Sequence, residues 1–135
     1  MSVDLVVVDD DSLTLEIVAW NLRKTSICHE LFLNPEQAMQ FLSTTTPEIL
    51  IVDFYMPNTN GVEFLEALYK KKELDACRVY LCSAIPPQEK HLEKLRNLGA
   101  TVLSKDQLFD KAGLLKIIDH LQEATVEGIA DSEQG

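Results

Sequence analysis

Four apolar runs in this sequence end on polar residues that can do chemistry. Leu5-Val6-Val7-Val8 is followed by Asp9, Asp10 and Asp11, and Ile49-Leu50-Ile51-Val52 by Asp53. Val79-Tyr80-Leu81-Cys82 stops at Ser83, and Thr101-Val102-Leu103 leads through Ser104 to Lys105. Carboxylates gathered within a few ångströms cannot all stay ionised unless a cation neutralises them. Mg²⁺ suits such a group, because it takes hard oxygen ligands from one or two carboxylates and keeps several waters. A metal, a carboxylate nucleophile, a lysine and a hydroxyl together make a site for phosphoryl transfer. The cations neutralise the transferring group and the hydroxyl donates to a third oxygen. With an aspartate as nucleophile the product is an acyl phosphate.

Each of these residues also has a plainer reading. Asp11 suits the role of helix cap; Asp9 and Asp10 suit it poorly, since a helix needs one cap and Ser12 is at hand. Asp53 could cap a loop, Lys105 could serve as a salt-bridge partner, and Ser83 could be a satisfied strand-end serine. All four strands ending this way by chance is a much weaker explanation than chance at any one of them.

The elements that must position these residues follow from periodicity. Short apolar runs separated by helical patterns read as buried parallel strands, here over residues 4–8, 28–33, 48–52, 77–82 and 101–104. A first helix carries Leu13, Ile17 and Trp20 at helical spacing, with Ser12 placed to cap it. Pro35 suits the first turn of a second helix reaching about Leu42. Met56-Pro57-Asn58-Thr59-Asn60-Gly61 is a dense turn signal, followed by a helix with Val62, Leu65, Leu68 and Tyr69 on one side. Pro86-Pro87 opens a fourth helix that Gly99 ends, and the last helix shows Leu114, Ile117, Ile118 and Leu121. Five such units predict an α/β fold: a five-stranded parallel sheet, doubly wound, with five helices on its two faces. In an open sheet of this kind ligands bind outside the carboxyl ends of the strands, where the polar stops must meet.

The 135 residues suit one domain, and 46% hydrophobic with 25% charged residues is an ordinary globular composition. A net charge of −10 repels phosphate backbones and argues against nucleic-acid binding by this chain alone. No apolar stretch approaches the roughly 20 residues needed to span a bilayer, and the N-terminus lacks the shape of a signal peptide. Cys28, Cys77 and Cys82 form no C-x-x-C and read as reduced, structural thiols of a cytoplasmic protein. Residues 1–123 are expected to form the domain and 124–135 a polar, acidic tail.

In order along the chain, these motifs resemble the receiver domain of two-component response regulators, over roughly residues 3–122. They are the acidic pair Asp9-Asp10, Asp53 within Val52-Asp53-Phe54-Tyr55-Met56-Pro57, Gly61, the pair Ser83-Ala84, and Lys105. The resemblance implies a flavodoxin-like sheet of strand order 2-1-3-4-5 and a phosphorylation-dependent switch of the stand-alone type. It implies that Asp53 accepts the phosphoryl group from a sensor histidine kinase or histidine phosphotransfer protein. Asp10, Asp53 and the backbone carbonyl of Tyr55 would ligate Mg²⁺, or Mn²⁺ in its place, with Asp9 acting mainly through water. Lys105 would pair with the phosphoryl group, and Ser83 would hydrogen-bond to it and draw the following loop inward. The surface of the fourth helix, fifth strand and fifth helix would change for a downstream protein target, and a dimer through it is compatible. Such a protein is not an enzyme acting on a separate substrate, although it catalyses its own phosphorylation and slow dephosphorylation.

Three features depart from that pattern. Lys105 is followed by Asp106, where receivers usually have proline, and the segment from Gly99 is one residue short. Val102 stands where the family commonly has a switch aromatic. Tyr55 and Ile85, two residues after Asp53 and Ser83, are bulky and neither acidic nor amide, and are expected to screen an acyl phosphate from water.

A haloacid-dehalogenase-like phosphatase would use Asp9 as nucleophile and Asp11 as its second acid, but leaves Asp53 without a role. A flavodoxin-like nucleotide binder would need a Ser/Thr/Gly-rich loop where three aspartates stand. A degenerate receiver acting only by protein contact would lack family positions that are all filled here. The sequence accommodates either a stand-alone receiver or a piece of a longer protein.

Overall fold

The apolar runs become strands because both of their faces are covered, which leaves no place for polar side chains along them. The computed structural model describes residues 3–74 and 76–119. In chain order the strands are β1 (Leu5–Val8), β2 (His29–Phe32), β3 (Ile49–Asp53), β4 (Tyr55–Met56), β5 (Thr59–Asn60), β6 (Arg78–Ser83) and β7 (Ala100–Ser104). The helices are α1 (Ser12–Leu22), α2 (Pro35–Leu42), α3 (Gly61–Lys71), α4 (Glu89–Asn97), α5 (Asp106–Phe109) and α6 (Lys111–Ile117). The main sheet is parallel in the order β2-β1-β3-β6-β7. With the small β4–β5 ribbon set aside, this is the expected order 2-1-3-4-5.

Side-chain alternation sorts the core into two layers. Val6, Val8, Leu50, Val52, Val79 and Leu81 point to one face and pack with Ala38, Leu42, Phe64, Leu65, Leu68 and Leu95 from α2, α3 and α4. Leu5, Val7, Ile49, Ile51 and Cys82 point to the other and pack with Leu15, Val18, Leu22, Leu108, Leu114 and Ile117 from α1, α5 and α6.

Local chemistry differs from the sequence reading in five places. The cap of α1 is Asp11, whose carboxylate accepts from the Leu13 N–H and the Thr14 hydroxyl at 3.1 and 3.0 Å; Ser12 is already the first helical residue. The Leu13–Ile17–Trp20 stripe is the outer face of α1, with Leu13 58% and Trp20 63% exposed and Arg23 stacked 3.6 Å over the indole. The helix is apolar on both sides, so spacing alone could not choose the buried one. The final helical region is two helices, giving six among the described residues, because the chain turns at Asp110, which caps α6 through the Gly113 N–H. The Met56–Gly61 turn is a two-stranded hairpin with Asn58 at φ 66°. Pro86-Pro87 precedes α4, whose cap position is Gln88. Leu121 and the segment 124–135 lie outside the described residues. Among the described residues no helix is long and apolar enough to cross a membrane.

Gly61 fixes how α3 meets the end of β3. Its N–H donates to Phe54 O at 2.8 Å, and a Cβ there would sit 2.5 Å from Leu81 Cδ1 and 2.8 Å from the Asp53 carbonyl oxygen. The backbone oxygen cannot yield as a side chain can. Gly61→Ala is therefore expected to lose about 2–3 kcal/mol of unfolding free energy in a urea titration. Unchanged stability would show that α3 can back away from Asp53.

Candidate functional site

The register of the sheet assembles the site. Val8 pairs with Val52, so Asp9 and Asp53 leave neighbouring strands at the same level. Asp53 pairs with Cys82 and Ser83 with Ser104, which places Ser83 and Lys105 one step further out. Backbone hydrogen bonds carry the pattern past the strands: Asp9 N–H to Phe32 O at 3.0 Å, Phe54 N–H to Cys82 O at 2.9 Å, and Lys105 N–H to Ser83 O at 3.1 Å.

Three carboxylates converge there. Asp9 and Asp53 are buried and Asp10 is exposed, and one oxygen from each lies within 4.8 Å of the others. Lys105 Nζ stands 3.1 Å from Asp9 Oδ2 and 3.7 Å from Asp53 Oδ1, and donates to Asp9 Oδ1 at 3.4 Å. Asp9 Oδ1 also accepts from the Asp11 N–H at 2.9 Å. Asp9 Oδ2 is buried and, despite the nearby ammonium, has no hydrogen bond. Two buried acids, a third at their edge and an orphaned buried oxygen fit a hard divalent cation with oxygen ligands.

The charges disturb one another in predictable directions. Burial, then the charge of Asp9, pushes the Asp53 carboxyl up to about 7, with Lys105 opposing. Burial also raises Asp9, against the Asp11 N–H and Lys105. Burial alone would lower the Lys105 ammonium, but the hydrogen bond and charge of Asp9, then the charge of Asp53, hold it above the ordinary lysine range. Burial, then Asp53 and Asp9, lifts the Cys82 thiol to about 12, so it is a packing group beneath the site.

The remaining residues form the rim. The Ser83 hydroxyl donates to Ile85 O and accepts from the Ile85 N–H at 3.2 Å, a closed local turn. Tyr55 and Ile85 are 54% and 64% exposed on the loops that follow Asp53 and Ser83. A pocket of about 230 Å³ bounded by Ser83, Ala84, Leu92 and Val102 lies behind that loop. An open pocket of about 490 Å³ lies beside Asp10, Tyr55 and Asn58.

Asp9, Asp10, Asp53 and Lys105 are thus brought together, with Ser83 at the adjoining strand end. Asp11 is drawn off to the helix. The sequence reading missed Phe54, whose ring packs against Tyr55 at 4.7 Å and edge-on to His91 at 5.0 Å. It also missed Asn21, a buried amide with no distinguishing motif around it.

The sequence matches the response regulator receiver domain family over residues 5–119. The fold is similar to that of the chemotaxis protein CheY4 of Vibrio cholerae, at 21% identity and a TM-score of 0.75, over 89% of this chain and 98% of that one. It is also similar to a CheY-like receiver domain protein of Methanospirillum hungatei, at 19% identity and a TM-score of 0.76, over 94% and 99%. A response regulator of Burkholderia pseudomallei, solved with a phosphorylated aspartic acid, a calcium ion and citrate, is 16% identical with a TM-score of 0.71, over 96% of this chain and 75% of that one.

The raised Asp53 carboxyl has a consequence for stability. Between about 4 and about 7 the folded chain holds a proton that the unfolded chain has released, so metal-free protein loses stability as pH rises through that window. Asp53→Asn removes this loss. Chemical denaturation without metal is expected to show the variant more stable by on the order of 1–2 kcal/mol at about pH 8, after solvent screening, and little different near pH 4. A variant no more stable than its parent at the higher pH contradicts the charge crowding.

Proposed function

The chain belongs to the response regulator receiver domain family, and from that premise we propose that it is a signalling switch that takes a phosphoryl group on Asp53. The observation that carries this reading is the position of Asp53: buried at a strand end, beside two further aspartates, with the Lys105 ammonium 3.7 Å from its Oδ1. An Asp53 carboxylate oxygen attacks phosphorus, and the bond from phosphorus to the donor's imidazole nitrogen breaks with its electron pair going to nitrogen. The products are an aspartyl phosphate and a free donor histidine. Lys105 holds one phosphoryl oxygen, and the Ser83 hydroxyl gives up Ile85 O to donate to another. Asp9, Asp10 and Asp53, with the Tyr55 carbonyl, would hold Mg²⁺ or Mn²⁺, which neutralises charge on the transferring oxygens.

The donor is a sensor histidine kinase or a histidine phosphotransfer protein in the cytoplasm. Release of Ile85 frees the loop over the pocket at Ala84, Leu92 and Val102 and so alters the surface of α4, β7 and the helices after it. A protein target, or a second copy of the chain, reads that change as a shift in population. The domain runs from residue 1 to 123, with 124–135 as its tail. A phosphatase of the alternative type, with Asp9 as nucleophile, would leave Asp53, buried beside Asp9 and 3.7 Å from Lys105 Nζ, without a role.

Acetyl phosphate with Mg²⁺ is expected to add one phosphoryl group, mapped to Asp53 by peptide mass spectrometry. Asp53→Ala and chelation of the metal each abolish it. Label on Asp9, or no uptake at all, sinks the reading. The lifetime is a separate matter: Tyr55→Asn combined with Ile85→Glu is expected to hydrolyse several times faster, because water gains access to the acyl phosphate. Equal decay would remove the screening role from these two side chains.

A further inference from the structure

The turn that carries Lys105 is held by contacts from elsewhere in the fold. Its residue adopts helical angles, φ −60° and ψ −28°, and opens α5, a helix of four residues. A helix that short has no stability of its own. The family's proline after the lysine, which would stiffen the chain here, is replaced by Asp106. Two sets of polar contacts grip the turn instead. At its start, Ser104 N–H donates to Gln107 Oε1 at 3.1 Å, and Asp106 N–H to Ser104 Oγ at 3.3 Å. At its end, the Asn21 amide of α1 donates to Leu108 O at 3.2 Å and to Phe109 O at 3.3 Å.

Asn21 is out of keeping with its surroundings. Its neighbours on the inward face of α1 are Leu15, Val18 and Leu22, packed in the same cluster as the fully buried Leu108. A leucine would suit that face, and a buried amide there costs free energy unless its donors are used. Both of its contacts are carbonyls that the short helix cannot satisfy internally. The same helix α1 begins one residue after Asp11, directly behind the acids of the site. One element, α1, therefore links the segment of Asp9 and Asp10 at one end to the turn bearing Lys105 further along.

We propose that Asn21 is a positioning residue for Lys105, clamping the α5 turn so that the ammonium stays in reach of Asp9 and Asp53. The proposal rests on the phosphoryl-transfer reading above. Asn21 takes no part in the chemistry itself and acts only through where Lys105 stands.

The test is a double-mutant cycle on the full chain with acetyl phosphate and Mg²⁺, read as initial phosphorylation rate by mass spectrometry. Asn21→Leu is expected to slow transfer roughly ten-fold, the lower end of what losing a supporting contact costs a reactive group. In a Lys105→Ala background the same change is expected to have no further effect, since the group it positions is gone. Asn21→Gln, which keeps the donors, is expected to recover part of the rate. Gln107→Ala loosens the same turn from a partly exposed site and provides a second arm should Asn21→Leu fold poorly; its effect too should vanish without Lys105. Equal losses in both backgrounds would assign these residues to general stability and overturn the proposal, as would an unchanged rate. If the parent chain takes up no phosphoryl group, the reading of the site itself falls and the proposal with it.

Discussion

Crowded negative charge at the end of a buried sheet is the constraint on which the rest of this structure turns. Asp9 and Asp53 are both withdrawn from water, and the charge of Asp9 makes Asp53 harder still to ionise. Lys105 relieves part of that repulsion and leaves Asp9 Oδ2 without a hydrogen bond. The arrangement is therefore unfavourable alone and favourable with additional positive charge. Under the proposed function a divalent ion and a phosphoryl group would supply and use that charge, which is how such a site would act as a switch.

The scaffold serves this tension by being rigid where it must be. Parallel register and backbone hydrogen bonds bring Asp9, Asp53, Ser83 and Lys105 to one edge of the sheet. Gly61 lets α3 press against the carbonyl of Asp53. On the loops that follow the strands Tyr55 and Ile85 are exposed, and the loop after β6 is closed by the turn between the Ser83 hydroxyl and Ile85.

The residues of the site were legible because each interrupts an apolar strand, and a strand buried on both faces tolerates a polar residue only at its end. The same rule made the five main strands and their order readable. Legibility failed where two physical readings shared one pattern. Both faces of α1 are apolar, so Leu13 and Trp20 looked as suited to the core as Leu15 and Val18. Asp11 and Ser12 are both good caps, and only the backbone bend at Asp11, φ −92° and ψ 109°, decides between them. The break at Asp110 depends on an aspartate cap inside a continuous helical pattern. The β4–β5 ribbon is too short for alternation to register. Asn21 could not have been found, because its meaning depends on carbonyls 87 and 88 residues away.

The pairing of Lys105 with Asp9 spans 96 positions, and β7, the strand before Lys105, is the last strand among the described residues and lies at the edge of the sheet. A chain emerging from the ribosome therefore lays down its acids first and the ammonium that steadies them last. Any fragment stopping before that lysine has the proposed acceptor aspartate but no fixed grip on what it would accept.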